Sequence, residues 1–193
     1  MHPKALLDAC AELLQQVLTF AHPADAVVSR YFRQHRNLGP RERATLAETV
    51  YNVLRKKLLF DHMAPSGSGP KERRLAILGF HGPRDFLLGG LTDQEKNWLE
   101  QCDSVKPDDL MERHRHNLPE WLVQPLKDQL GAGFWPLVES LSQSAPLDLR
   151  VNALKEKRAD VQKELAKAAI KSVATPYSPW GLRIEGKPAL TKL

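Results

Sequence analysis

The feature that most constrains this chain is a change of hydrophobic period at Ala145-Pro146. Before that dipeptide, apolar residues recur three and four positions apart; after it, in Leu147-Asp148-Leu149-Arg150-Val151-Asn152, they alternate. The first spacing gathers apolar side chains only on a helix, the second only on a strand. The opening segment shows the helical case. Leu6, Leu7, Cys10, Leu13, Leu14, Val17 and Leu18 fall within about 140° of one another at about 100° per residue. His22-Pro23 breaks that helix, and a second is expected over Ala24–Arg36. Leu38-Gly39-Pro40 is the next break, with Pro40 suited to a first helical position, and a third helix is expected on to about Asp61. After the turn-forming run 65–70, short helices fit at about 71–80 and 83–89. Thr92 with Glu95 reads as a capping box opening a helix to about Cys102. Further helices fit at about 107–116, 119–130 and 133–143. Beyond residue 146 the expected order is a strand at 147–152, an amphipathic helix at 155–169, and two short strands at 173–177 and 180–184. The expectation is a mainly α chain: a helical domain over 1–145, then a small α+β segment (β-α-β-β) over 146–193. The last residues, Leu190-Thr191-Lys192-Leu193, show no capping or stop pattern, so a boundary just before a further domain is expected there.

Composition excludes several classes. The 193 residues are 42% hydrophobic and 26% charged, which is globular usage rather than that of a tail or fibre. No apolar run reaches the length of a membrane span. The start carries Asp8 and Glu12 and lacks a cleavage-site pattern, which speaks against a secretory signal. Cys10 and Cys102 stand 92 positions apart and make neither a disulfide framework nor a CxxC site. A reducing, cytoplasmic setting with no membrane partner fits these features.

Charge is segregated along the chain. Between Arg30 and Lys57 there are eight basic residues and two acidic ones; between Asp93 and Asp128, five and nine; between Arg150 and Lys171, seven and three. Arg30, Arg33 and Arg36 share one flank if their helix is continuous, and Arg41 and Arg55 share the exposed side of the next helix. Guanidinium groups spread over one surface suit the paired oxygens of phosphates. A solvated helix face is the competing reading. Other candidates for chemistry are weak. His114 and His116 are two apart and diverge on a helix. GxGxxG, P-loop, GxSxG and HExxH patterns are absent from the sequence. Trp121 and Trp135 follow helix starts and read as core anchors. Tyr177 and Trp180, in Thr175-Pro176-Tyr177-Ser178-Pro179-Trp180, read either as packing of a short strand or as a base-stacking surface.

Asn117-Leu118-Pro119-Glu120-Trp121-Leu122, then Gly133-Phe134, then Ala145-Pro146-Leu147-Asp148-Leu149-Arg150-Val151-Asn152 with a helix after it, resembles the N-terminal part of the RsmB/Nop2/Sun family. These are RNA cytosine-C5 methyltransferases that use S-adenosylmethionine. The preceding helices resemble the NusB-type RNA-binding fold, through Leu38-Gly39-Pro40-Arg41-Glu42-Arg43, Val50-Tyr51 and Leu54-Arg55. The resemblance implies a NusB-like helical bundle that binds RNA, ribosomal RNA above all, followed by a small α+β piece leading to the family's own methyltransferase domain. The family's paired catalytic cysteines stand in Thr-Cys and Pro-Cys dipeptides. Here the dipeptides are Ala9-Cys10 and Gln101-Cys102, so no catalytic, cofactor-binding or metal residue carries over. S-adenosylmethionine is implied for the longer parent and not for this segment. The expected RNA-binding residues are Arg30, Arg33, Arg36, Arg41, Arg43, Arg55, Lys56, Arg150 and Asn152. The rival functions are a stand-alone NusB-like antitermination-type module and a protein-interaction domain whose arginines are merely solvated. A DNA-binding helix-turn-helix over 24–57 is weaker, because no polar base-reading set opens its second helix.

Overall fold

The structure, a computed structural model, describes residues 1–186; the expectation attached to residues 190–193 lies outside the described residues. The chain divides into two compact units, one over Met1–Gln143 and one from Ser144 onward.

The first unit is helical. Its elements are α1 (Pro3–Val17), α2 (Ala24–Gln34), α3 (Pro40–Arg55), α4 (Lys57–Met63), α5 (Lys71–Leu78), α6 (Arg84–Leu88), α7 (Asp93–Ser104), α8 (Glu112–His116), α9 (Glu120–Leu130) and α10 (Phe134–Leu141). Six residues of the stripe predicted for α1 form its buried face, Leu6, Leu7, Cys10, Leu13, Leu14 and Val17; Leu18, the seventh, is the C-cap residue and is half-buried. That face packs against α5, α3 and α2. Each fully buried leucine is worth about 1.5–3 kcal/mol relative to exposure. α3 supplies Leu46, Thr49, Val50 and Val53 to the same core, and α5 supplies Leu75, Ala76 and Ile77. Arg73 braces α1, α5 and α7: it donates to Asp8 at 2.8 Å, to Glu95 at 2.5 and 3.1 Å, and to the Gly90 carbonyl at 3.1 Å. Thr92 and Glu95 form the predicted capping box.

Three predicted helices are divided or shortened. α2 stops at Gln34, because the His35 amide closes on the Tyr31 carbonyl and the chain then turns so that Leu38 is buried. The expected helix over 40–61 breaks at Lys56 (φ −113°, ψ 29°) into α3 and α4. The break frees the Leu59 amide, which donates to Asn117 Oδ1 at 3.0 Å, and α4 packs on α8. The expected helix over 107–116 is a 3-10 turn at Pro107–Asp109 followed by α8. Asn117 ends α8 in the left-handed region (φ 53°), a conformation asparagine tolerates better than most residues.

The second unit has the expected β-α-β-β order: β1 (Leu147–Arg150), α11 (Arg158–Lys167), β2 (Ser172–Ala174) and β3 (Gly181–Ile184). β3 is central, antiparallel to both neighbours, in the order β1-β3-β2. Its core is Val151, Leu165, Ile170, Leu182 and Ile184. Asp148 faces Arg183 in register and receives two 2.8 Å bonds from its guanidinium.

Candidate nucleic-acid interface

The basic residues of the first unit fall into two groups that the sequence could not separate. Arg30 and Arg33 are exposed on α2, and Arg41 is exposed in the first turn of α3. Arg36 is exposed too, but it lies beyond the end of α2, so the continuous flank expected for Arg30, Arg33 and Arg36 reduces to a helical pair followed by a turn residue. None of these four side chains makes an ion pair or hydrogen bond among the described residues. Paired arginines are spent within a fold; unpaired and exposed ones keep all five donors for an outside acceptor.

Arg43 has a different place. Its Nε donates to the Leu38 carbonyl at 2.9 Å, and its guanidinium stands 5.7 Å from the centre of the Phe32 ring. It clamps the turn between α2 and α3, the segment that carries Arg36 and Arg41. The His35 ring stacks on Tyr31 at 3.9 Å between centroids, and the Tyr31 hydroxyl donates to Glu12 of α1 at 2.9 Å. The α2–α3 turn is therefore fixed by side chains on α1, α2 and α3.

Arg55 and Lys56 stand at the far end of α3, about 21 Å along the axis from Arg41 at about 1.5 Å per residue. Arg55 is half-buried and pairs with Glu48 at 3.6 Å, and its Nε has no hydrogen-bond partner. Lys56 is the half-buried residue at which the helix breaks. The structure thus groups Arg30, Arg33, Arg36 and Arg41, assigns Arg43 to holding their turn, and sets Arg55 and Lys56 apart.

In the second unit Arg150 and Asn152 lie where β1 ends. Arg150 is exposed and its guanidinium stands 5.4 Å from the centre of the Trp180 ring. Asn152 is exposed, and its Oδ1 accepts from the Leu154 amide at 3.1 Å. The strand packing considered for Tyr177 does not occur: its side chain is 99% exposed, and Trp180 is 44% exposed. Trp121, expected in the core, is 74% exposed on α9, a helix with no buried residue. Its sequence placement just after a helix start could not say which side of the helix is covered. Trp135 is half-buried with Arg115 4.6 Å from its ring centre.

The remaining candidates for chemistry are structural. Burial pushes the Cys10 thiol up to about 12, and it raises that of Cys102 as well. Thiols held protonated are poor nucleophiles. His114 and His116 are buried; His114 stacks on His62 at 4.0 Å, while His116 meets the edge of Phe134. Burial, then the neighbouring His62 and Arg113, hold His114 below the ordinary imidazole value, and burial does the same for His116. Among the described residues no cluster of three or more His, Cys, Asp or Glu is placed to hold a metal ion. β1 leads into Val151-Asn152-Ala153-Leu154, not into a glycine-rich turn opening a helix. No described helix is long and apolar enough to cross a membrane.

Comparison with known proteins follows the same outline. Residues 118–191 match the family model described as an RsmF/B-like methyltransferase, ferredoxin-like domain. The chain is 27% identical over 205 residues to a probable ribosomal RNA small subunit methyltransferase B from Synechocystis sp., an alignment covering 88% of this chain and 46% of the relative. The crystal structure of PH0851 shares the fold, with a TM-score of 0.68 at 18% identity, over 100% of this chain and 51% of that one. The chain spans about half the length of the relatives it matches.

Proposed function

We propose that this chain, whose family match, relative and fold together support an RsmB/Sun-family N-terminal region, is the RNA-gripping portion of an S-adenosylmethionine-dependent ribosomal RNA cytosine-C5 methyltransferase. The similarity to a small-subunit rRNA methyltransferase supports the rRNA methyltransferase family. RNA binding by these residues is the step proposed here.

The observation that carries it is the group Arg30, Arg33, Arg36 and Arg41. These are four exposed guanidiniums without partners, on two helices and the connection that Arg43 clamps. In this reading the first unit is a NusB-like module that holds the phosphate backbone. The second unit, through Arg150 and Asn152, contacts RNA near the target, and the family's catalytic domain is its partner. Phosphate contacts fix position and register without reading sequence. Chemistry on a cytosine requires the base to leave its stack, so a module that holds the flanking backbone contributes by placing the target loop. The setting is the cytoplasm, where ribosomal RNA is the abundant polyanion of this class.

The test is a titration of a labelled small-subunit rRNA hairpin fragment by the chain at several salt concentrations. Binding that weakens steeply as salt rises supports the proposal. Absence of binding at low salt removes it.

A further inference from the structure

The loop between β2 and β3 presents an aromatic surface that phosphate contacts leave unexplained. The sheet register gathers its neighbours at one end: Arg150 pairs with Gly181, and the Val151 amide donates to the Trp180 carbonyl at 2.9 Å. Because β1 and β2 both run antiparallel to β3, the end of β1, the end of β2 and the start of β3 all lie at that end. The β2–β3 loop emerges there with Tyr177 at its tip.

This loop is held rather than loose. Arg158, at the start of α11, donates to the Ser178 carbonyl at 3.1 Å, and the Gly181 amide donates to the same oxygen at 3.3 Å. The Thr175 amide donates to the Gly181 carbonyl at 3.1 Å, and the Trp180 amide to Ser178 Oγ at 3.3 Å. Pro176 and Pro179 fix two further backbone angles. A Cβ at Gly181 would stand 2.0 Å from Thr175 Oγ1, so the loop closes tightly only over glycine. A fixed backbone that leaves a tyrosine 99% exposed orients a ring toward solvent where packing would otherwise cover it. Three residues on, Trp180 is steadied by the Arg150 guanidinium 5.4 Å from its ring centre and still keeps 44% of its surface exposed.

We propose that Tyr177 and Trp180 form a stacking platform for unpaired RNA bases, with Arg150 beside it to meet the adjacent backbone. The proposal deepens the RNA-binding reading and rests on it. Two properties favour unpaired nucleic acid over a protein partner. Two guanidiniums stand at the loop, Arg150 against the Trp180 ring and Arg158 on the Ser178 carbonyl. And the amide Nδ2 of Asn152, two residues beyond Arg150, makes no hydrogen bond among the described residues and can donate to a base edge. Stacking accepts every base, since each has a π-face, but it requires that the base be out of a duplex. The platform therefore selects single-stranded over paired RNA, a property the arginines of the first unit do not confer.

The experiment compares the full chain with Tyr177→Ala, Tyr177→Phe and Trp180→Ala, using a short unpaired RNA oligonucleotide and a blunt RNA duplex of the same length. Each alanine variant is expected to weaken single-strand binding roughly five- to a hundredfold and to leave duplex binding and the salt dependence of affinity unchanged. Tyr177→Phe, which keeps the ring, should bind like the parent. Tyr177 touches no core residue, so its variants test the idea even if Trp180→Ala misfolds. The inference is overturned if the parent binds RNA and Tyr177→Ala binds the single strand as tightly, as it would if the rings served a protein partner. It is overturned equally if single strand and duplex weaken together. Failure of the parent to bind either RNA is a different result: it removes the proposed function, and the platform with it.

Discussion

Arg33 and Arg43 are both arginines of one basic segment, ten positions apart, yet their surroundings give them separate jobs. Arg33 has no partner among the described residues, so its removal should change stability by less than about 0.5 kcal/mol. Arg43 donates to the Leu38 carbonyl and lies over Phe32. Its loss should cost about 1–2 kcal/mol, the sum of a net hydrogen bond and a partly exposed cation–π contact. Thermal melts of Arg33→Ala and Arg43→Ala check this: the first should superpose on the parent and the second should melt lower. Protonation at single residues also sets a pH dependence. His114 and His116 have folded values held below the ordinary 6.5, chiefly by burial. Above that value both states are neutral and there is no effect. As pH falls below it, the unfolded chain takes up protons that the folded chain resists, and stability declines. Glu95 acts in the same direction at lower pH: Arg73 holds its carboxyl below the usual range, so that stability is present above about 4.5 and fades as pH falls through the folded value. Melting temperature should therefore fall between pH 7 and 5, and His114→Phe should shrink that fall. An unchanged pH profile in the variant would remove His114 from the account.

At the scale of elements, the periodic parts of the chain could be read directly. The buried stripe of α1, the capping box of α7 and the β-α-β-β order after Pro146 all follow from residues within one turn or one strand of each other. What could not be read is what depends on distant partners. The break at Lys56 has no proline or glycine to announce it; it is stabilised by Asn117, 58 positions from the Leu59 amide it receives. The early stop of α2 depends on burying Leu38, and the exposure of Trp121 depends on which face of α9 a neighbour covers. The site shows the same division. That arginines cluster is visible in the sequence; that four of them are free, one is a clamp and one is paired with Glu48 is visible only in three dimensions. Two substitutions test the element-level packing. Gly79→Ala would place a Cβ 2.4 Å from Val53 Cγ2 where α3 and α5 meet and should cost about 1–3 kcal/mol by overpacking. Thr92→Ala removes the cap of α7 and should cost about 1 kcal/mol. Denaturant melts give both numbers, and a Gly79→Ala protein as stable as the parent would contradict the close packing described for α3.

As a whole molecule, the chain has two units for which we propose different ways of meeting RNA: the first by charge on the α2–α3 connection, the second by charge and aromatic rings at one end of a small sheet. Charge and stacking respond differently to salt, which separates them experimentally. Removing the grip on one phosphate lowers the slope of log affinity against log salt by roughly 0.7 to 0.9, whereas removing a stacking ring shifts affinity at every salt concentration alike. The most direct test of the central claim is that slope, measured by fluorescence anisotropy on a labelled rRNA hairpin for the parent chain and for the combined Arg30→Ala, Arg33→Ala, Arg36→Ala and Arg41→Ala variant. The account predicts a folded variant with weaker binding and a slope reduced by roughly two to three and a half, as three to four phosphates are no longer held. A folded variant that keeps both the affinity and the slope of the parent would contradict it.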